Sequence, residues 1–271
     1  MISTQGLSPM LAVTLVRENR ETFENDVRNE AMAKREIAAF EERIGAIGSV
    51  EELVQDYEVF SFVMKAFDLE KEIYAKAMMK QIITADPEDK DSILNKLTDS
   101  KYKVINETLG FARDGSAGPD LQDPDWQKEM TQRYVSQRLI DSQSSVNESV
   151  GTVLAFEQKV SGMSNWYKVL ADKEMTDFIF TAFGLPDNLA QADVDSKMKM
   201  LSARMDIEDL QDPEMQEKLI RQYSAFVGVG AASQVQSPVL ALMSAATNSG
   251  TYSVLTVDME MLRGFSASAY R

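Results

Sequence analysis

Residues 39–69 of this chain read AFEERIGAIGSVEELVQDYEVFSFVMKAFDL, and residues 155–185 read AFEQKVSGMSNWYKVLADKEMTDFIFTAFGL. The two stretches align without a gap at an offset of 116 residues and are identical at nine of 31 positions. Similarity at a fixed offset is typical of a duplicated structural unit. The sequence therefore predicts an internal repeat, with two similar halves in a pseudo-twofold arrangement.

The spacing of apolar residues in and before the first stretch indicates helices. Apolar side chains recur at intervals of four, three, four and three residues, at Ala33, Ile37, Phe40, Ile44 and Ile47. This spacing places them on one face of a helix. The alternating patterns that predict strands are nearly absent. The predicted fold class is all-α: a helical protein with two long helices and an internal pseudo-twofold repeat.

Two helices are predicted to be long. No proline or glycine lies between Met10 and Ile44, which predicts one helix of more than thirty residues. A second helix of similar length is predicted from about Pro124 to about Val160. The predicted repeats are residues 1–120, with the long N-terminal helix, and residues 121–271, with a C-terminal segment low in charge. They form two domains or pack as one.

Three Asp-Pro pairs are predicted to begin helices: Asp86-Pro87, Asp123-Pro124 and Asp212-Pro213. An aspartate before the first turn accepts hydrogen bonds from free backbone N–H groups, and proline at the first helical position loses no hydrogen bond. The acid that follows each proline favours the positive end of the helix dipole. Capping therefore explains these carboxylates without a metal ion.

Apolar side chains that occur in both stretches are predicted to form the core of the repeat. They are Phe40, Ile44, Phe67, Leu69, Phe156, Val160, Phe183 and Leu185. Phe67 and Phe183 are expected to pack in the same way in the two halves. Aromatic residues repeated at helical spacing are usually core residues, so no ligand-binding role is assigned to them.

The composition excludes several kinds of chemistry. The chain has 271 residues, 28 Lys and Arg, 43 Asp and Glu, a net charge of −15, and neither histidine nor cysteine. Disulfides, Cys/His metal sites and histidine-based acid–base catalysis are therefore excluded. An acidic surface repels nucleic acid. We expect no catalytic, metal or cofactor site, although an enzyme using carboxylates alone remains an alternative.

Both ends of the chain are poor in charge, which is a feature of surfaces that become buried. Residues 1–16 carry no charged side chain, and residues 224–271 carry only four. Because burying charge is costly, such segments suit contacts with partners. The candidate partner-contact residues are Leu7, Met10, Leu11, Val13, Leu15, Leu240, Met243, Leu255, Met261 and Phe265. The alternative is that both ends complete the core of this chain, and a conformational change would allow both.

The segment at 36–67, EIAAFEERIGAIGSVEELVQDYEVFSFVMKAF, resembles a bacterial family of unknown function. The resemblance extends through Leu69, the Asp86-Pro87 pair and residues 97–102, and covers most of the chain. Genes of that family often lie among flagellar genes in alphaproteobacteria. Typical members have glycine where this chain has Asp68, and Gly184 restores it in the second stretch. The resemblance implies a flagellum-associated, non-enzymatic role and transfers no catalytic residue.

We therefore expect a structural or interaction protein associated with the bacterial flagellum, which acts through helix-mediated packing with protein partners. The alternative is a cytoplasmic, acidic adaptor or export chaperone that holds a client protein. A cleaved signal peptide is not expected, because the first basic residue, Arg17, follows the apolar stretch. No apolar run reaches the roughly 18 residues that span a membrane. The expected location is the cytoplasm, or the flagellum by a signal-independent route, and the oligomeric state remains open.

Overall fold

The structure is a computed structural model that describes residues 3–185, 189 and 192–234, without the side chains of residues 230–234. The chain divides into two units, Met1–Val229 and Gly230–Arg271. Across the described ranges the regular secondary structure is helical, and a single antiparallel bridge joins Ser49 to Ser116. The predicted all-α class is confirmed.

The described α-helices are α1 Pro9–Glu18, α2 Arg20–Asn29, α3 Ala31–Arg43, α4 Val50–Gln55, α5 Tyr57–Ala66, α6 Lys76–Ile83, α7 Ile93–Lys96, α8 Lys101–Leu109, α9 Pro124–Val146, α10 Glu148–Lys159, α11 Trp166–Ala171, α12 Lys173–Ala182, α13 Val194–Ser202 and α14 Pro213–Gln234. Short 3-10 helices lie at Ile44–Ala46, Glu70–Glu72, Pro119–Gln122, Val160–Gly162 and Glu208–Gln211. Within these ranges, no helix is long and apolar enough to cross a membrane.

The prediction of one long N-terminal helix is wrong, because the chain breaks twice and forms α1, α2 and α3. At Asn19 the backbone leaves the helical region (φ −117°, ψ 25°), and the Asn19 amide donates a 2.8 Å hydrogen bond to the carbonyl of Leu15. At Glu30 the backbone is extended (φ −60°, ψ 135°). Each break turns the chain, so that each helix buries its own apolar side chains in the common core.

The second long helix is also shorter than predicted. Helix α9 ends at Val146, Asn147 leaves the helical conformation (φ −150°, ψ 98°), and α10 begins at Glu148. The two helices then pack closely, since a Cβ atom at Gly151 would lie only 2.8 Å from the Cα atom of Ser144. Neither proline nor glycine stands at the turn, and the break allows α10 to fold back onto α9.

Two of the three predicted helix starts are confirmed. The Asp123 carboxylate accepts a 3.0 Å hydrogen bond from the backbone N–H of Asp125 at the start of α9. The Asp212 carboxylate does the same with the N–H of Glu214 at the start of α14. The start at Asp86 is wrong: residues 86–92 form turns, and α7 begins only at Ile93. The charged stretch after Asp86 offers no apolar face that a helix could bury.

Aromatic stacks in the core occur twice at the predicted offset of 116 residues. Phe40 of α3 stacks on Phe62 of α5 with ring centroids 4.2 Å apart and an interplanar angle of 18°. Phe156 of α10 stacks on Phe178 of α12 at 4.1 Å and 18°. Each stack therefore joins helices at corresponding places in the two stretches.

Helix caps and ion pairs also recur at this offset. Asp56 caps α5 and Asp172 caps α12, each accepting a hydrogen bond from the backbone three residues later. Arg43 pairs with Asp56 at 3.1 Å, and Lys159 pairs with Asp172 at 2.9 Å. The backbone also has a positive φ two residues after α5 and two residues after α12, at Asp68 (φ 55°) and Gly184 (φ 61°). These contacts favour an internal repeat, while the pseudo-twofold relation stays a prediction.

The predicted repeat core is buried except at the end of the second stretch. The buried members are Phe40, Ile44, Phe67, Leu69, Phe156 and Val160. Phe183 and Leu185 are only half-buried, so the expectation that Phe67 and Phe183 pack identically is wrong. The Arg133 guanidinium of α9 covers the Phe67 ring at 4.6 Å. Helix α14 starts with the same Leu-Gln-Asp-Pro sequence as α9, 89 residues later, and has the shorter Gln222 at the position of Arg133.

The predicted boundary between residues 120 and 121 falls within the 3-10 helix Pro119–Gln122, and α9, which follows it, packs on helices from both sides of the boundary. Tyr134 of α9 stacks on Phe62 of α5 at 4.3 Å, and α9 also packs on α10. Buried side chains from both sides belong to one hydrophobic core. The division of the chain into repeats at this boundary stays a prediction.

Candidate interaction surface

Helix α1 packs on α10 through one apolar face. The side chains of Ala12, Val13 and Val16 are buried on that face. At the start of α1, the Pro9 Cδ atom lies 3.9 Å from the position that a Cβ atom on Gly228 of α14 would occupy. Helix α1 therefore contributes to the core of this chain. This agrees with the alternative in which the chain ends complete their own core.

An ion-pair cluster holds the C-terminal end of α1. The Arg17 guanidinium lies 2.7 Å from the Glu157 carboxylate of α10 and 2.7 Å from the Glu217 carboxylate of α14. Arg20 also pairs with Glu157, at 3.2 Å. Burial alone would lower the pKa of Arg17, but its hydrogen bonds to Glu217 and Glu157 and their negative charges outweigh burial, so the pKa is raised. Arg17 therefore stays charged and links three helices.

The residues that precede α1 are anchored as well. Thr4 is buried, and its hydroxyl donates a 2.9 Å hydrogen bond to the side-chain oxygen of Gln143 in α9. The Asn147 amide donates a 3.4 Å hydrogen bond to the carbonyl of Leu7. A buried, satisfied polar pair of this kind fixes the segment in position. Residues 4–18 are thus held at several points along their length.

The outer face of α1 carries large apolar side chains that the fold leaves in solvent. Met10 is 47% exposed and Leu11 is 55% exposed. Of the other described candidates for partner contact, Val13 is buried, whereas Leu7 and Leu15 are half-buried. The remaining candidates lie outside the described residues: Leu240, Met243, Leu255, Met261 and Phe265. The structure therefore reduces the candidate surface at this end to Met10 and Leu11.

Two of the exposed apolar residues that were not singled out from the sequence lie on α14. Phe226 and Val229 of α14 are 51% and 67% exposed. Both belong to residues 224–271, where low charge was the only sequence feature that suggested partner contact. Low charge does not distinguish individual positions. The structure identifies them because it shows which side of α14 faces the core.

A second surface feature is an acidic cleft of about 560 Å³. Six carboxylates and three ammonium groups line it, together with one leucine: Asp68, Glu70, Glu72, Asp99, Asp141, Glu174, Lys65, Lys71, Lys101 and Leu69. The pKa of Asp141 is raised, chiefly by desolvation and further by the negative charges of Asp68 and Glu70. Throughout the described part of the chain, no three acidic side chains are arranged to hold a metal ion.

Buried charges next to this cleft are paired inside the protein. Glu36 of α3 forms a 2.8 Å ion pair with Lys65 of α5 and accepts a 2.6 Å hydrogen bond from the Tyr134 hydroxyl. Burial and the adjacent Glu36 carboxylate raise the pKa of Tyr134. Burial alone would raise the pKa of Glu36, but the hydrogen bonds from Lys65 and Tyr134 outweigh it, so that pKa is lowered. These groups therefore stabilise one another.

The fold and the surface define an all-α protein whose anchored N-terminal helix presents an apolar outer face. Residues 66–215 match the family described as a protein of unknown function, DUF1217. Because the match covers more than half of the 271 residues, the chain belongs to the DUF1217 family. The predicted membership of a family of unknown function is confirmed. No curated protein is similar enough to count as a match.

One solved structure is similar over nearly the whole fold. The crystal structure of protein AGR_C_984 from Agrobacterium tumefaciens has a TM-score of 0.73 and 26% sequence identity. The similarity covers 88% of this chain and 98% of the Agrobacterium chain. The helical architecture is therefore shared with a protein from an alphaproteobacterium, the bacterial class that the sequence resemblance implies.

Proposed function

We propose that this chain is a non-enzymatic interaction protein associated with the bacterial flagellum, and that the outer face of α1 contacts its protein partner. The observation that carries the proposal is the exposure of Met10 and Leu11 on a helix whose other face is docked. The flagellar association rests on the family resemblance at residues 36–67, because genes of that family often lie among flagellar genes.

Both the apolar area and the rigidity of α1 favour binding to a partner. Fully burying a methionine or leucine side chain stabilises a complex by about 1.5–3 kcal/mol relative to leaving it exposed. Because Arg17 and Thr4 already anchor the segment, binding would cost little additional backbone ordering. An exposed apolar pair on an anchored helix is therefore suited to protein contact.

A substitution tests this role better than a deletion does. Removing residues 1–16 would also take Thr4, Val13 and Val16 out of the core, so loss of function would not identify a surface. Leu11→Glu changes only the exposed face. We expect a tagged full-length Leu11→Glu chain, expressed in motile cells, to lose its bound partner in a pull-down and to reduce swimming.

The matched control is Tyr74→Glu, because Tyr74 is 86% exposed and lies far along the chain from α1. We expect it to retain the partner and normal swimming. Equal partner binding and equal motility in the two variants would contradict the proposal. Thermal unfolding of both variants shows whether each remains folded.

The acidic cleft favours a second candidate function, that of a cytoplasmic adaptor or export chaperone for a client protein. Its excess of carboxylates would attract a basic client segment. Cell fractionation distinguishes the two functions: a flagellar component would be found in the secreted or basal-body fraction, and an adaptor would remain in the cytosol. Adaptor binding would also weaken steeply with added salt, whereas apolar contact at Leu11 would not.

A further inference from the structure

Residues 3–6 form a turn that precedes α1, and we call them the N-terminal strap. The backbone N–H of Leu7 donates a 3.2 Å hydrogen bond to the carbonyl of Thr4, which closes the turn. Thr4 is 1% exposed, and the other three residues of the strap are exposed. The strap therefore meets the rest of the fold chiefly through one small polar side chain.

The strap is held less firmly than the helix that follows it. In the described part of the chain, one hydrogen bond joins it to another helix, from the Thr4 hydroxyl to the side-chain oxygen of Gln143 in α9 at 2.9 Å. A neutral hydrogen bond adds only modest net stability, because both groups bond to water when they separate. Helix α1, in contrast, is held by a buried apolar face and by the ion pairs of Arg17.

A pocket of about 150 Å³ lies between the strap, α2 and α9. The strap contributes Ser3 and Thr4 to its wall. The helices contribute apolar side chains that are almost fully buried, among them Phe23, Val27 and Leu139. Because atoms on either side of an unfilled space lose van der Waals contacts, the strap gains little from packing on this apolar wall.

Gly6 provides a hinge between the strap and α1. Its φ is +75°, and nothing lies within 4 Å of the position that a Cβ atom would occupy. Glycine adopts positive and negative φ about equally readily, so rotation at this residue costs little. The next residue, Leu7, is held separately, because its carbonyl accepts a hydrogen bond from the Asn147 amide. The chain can therefore open at Gly6 without displacing α1.

We propose that the N-terminal strap opens about Gly6 while α1 stays docked, and that opening exposes the apolar wall of the pocket to solvent. Local opening occurs where few apolar contacts and hydrogen bonds have to be broken, and the strap has one such hydrogen bond to α9. Helix α1 then completes the core, and the strap controls access to further apolar surface. This inference goes beyond the proposed contact at Leu11 and does not depend on it.

Thiol labelling tests the opening, because the chain has no cysteine and an introduced thiol reports on one position. Val27→Cys places the thiol in the pocket wall and leaves the hydrogen bond between Thr4 and Gln143 intact. Val16→Cys is the matched control, since Val16 is fully buried on the docked face of α1. We expect a maleimide to label Val27→Cys at least tenfold faster than Val16→Cys in the full chain without denaturant. Equal rates would overturn the proposal.

Two changes in the strap show whether it is the part that moves. Gly6→Ala strains the closed turn, because a residue with a Cβ atom is disfavoured at φ +75°. Thr4→Val removes the hydroxyl that bonds to Gln143. Each should raise the labelling rate of Val27→Cys at least fivefold and leave that of Val16→Cys unchanged. An unchanged rate at Val27 in both combinations would show that another part of the fold opens, and would overturn the proposal.

Leu139→Cys repeats the measurement from the α9 wall of the pocket, and thermal unfolding shows that each variant is folded. A thiol at this position that reacts no faster than Val16→Cys would also contradict the opening. Leu11→Glu should leave the labelling of Val27→Cys unchanged, because Leu11 lies on the outer face of α1. The failure of the present inference is therefore distinguishable from a failure at the α1 surface.

Discussion

The hydroxyl of Tyr134 donates a 2.6 Å hydrogen bond to Glu36, whose carboxylate also pairs with Lys65 at 2.8 Å. Tyr223 of α14, which stacks on Phe178 as Tyr134 stacks on Phe62, lies near Thr152, and Thr152 stands 116 residues after Glu36. The first of these two places therefore holds a buried ion pair, and the second has a neutral threonine where the first has a carboxylate. Replacing both partners of a buried ion pair by neutral groups avoids the cost of burying charge.

Glu36→Gln should destabilise the protein, because it leaves Lys65 charged and without its carboxylate in a largely buried place. Both side chains are less than 15% exposed, at 14% for Glu36 and 12% for Lys65. We expect the free energy of unfolding to fall by about 3 kcal/mol, as breaking one side of a buried pair generally does. Chemical denaturation measures this loss. Glu42→Gln, an exposed change on the same helix, is the control and should alter stability by less than about 0.5 kcal/mol.

The same carboxylate predicts how stability depends on pH. Because the pKa of Glu36 is lowered in the folded protein, its stabilising effect is complete above the ordinary pKa of 4.5 and is lost as pH falls through the lowered folded value. The difference in unfolding free energy between the original chain and Glu36→Gln should therefore shrink only below pH 4.5. Urea denaturation at a series of pH values checks this. A difference that stays constant down to low pH would contradict it.

Gly184→Ala should be destabilising, because the position combines a left-handed backbone with a close neighbour. Its φ is +61°, and a Cβ atom would lie 2.7 Å from the Phe226 ring. A left-handed residue with a Cβ costs about 1–2 kcal/mol, so we expect a loss of at least that size in thermal unfolding. Gly162→Ala is the matched control, since nothing lies within 4 Å of its Cβ position. A similar loss in both variants would contradict the assigned cause.

Two helical glycines should respond in opposite directions to alanine. At Gly151 of α10 a Cβ atom would lie 2.8 Å from the Cα atom of Ser144, so alanine should force α9 and α10 apart and cost about 2–3 kcal/mol. At Gly228 of α14 the nearest atom is 3.9 Å away, and alanine should add about 0.5–1 kcal/mol through its higher helix propensity. Chemical denaturation of both variants checks the signs. A stabilising Gly151→Ala would rule out close packing of α9 on α10.

Local signals in the sequence determined much of the helical content. Asp123 and Asp212 are N-caps because the carboxylate, the proline and the following acid all act within one helical turn. The spacing that includes Phe40 and Ile44 marked a helix face, and both side chains are buried. Such features depend on neighbours along the chain, which is why the sequence alone determined the all-α class.

Tertiary packing alone decided where the helices break and which apolar side chains remain outside. Asn19 and Asn147 end helices because the chain turns there to bring apolar faces onto a shared core, and no proline or glycine indicates either turn. Val13 is buried and Leu11 exposed although both are apolar and two residues apart. That difference depends on the surface of α10, which comes from a part of the chain more than a hundred residues away. Local periodicity contains no information about that surface.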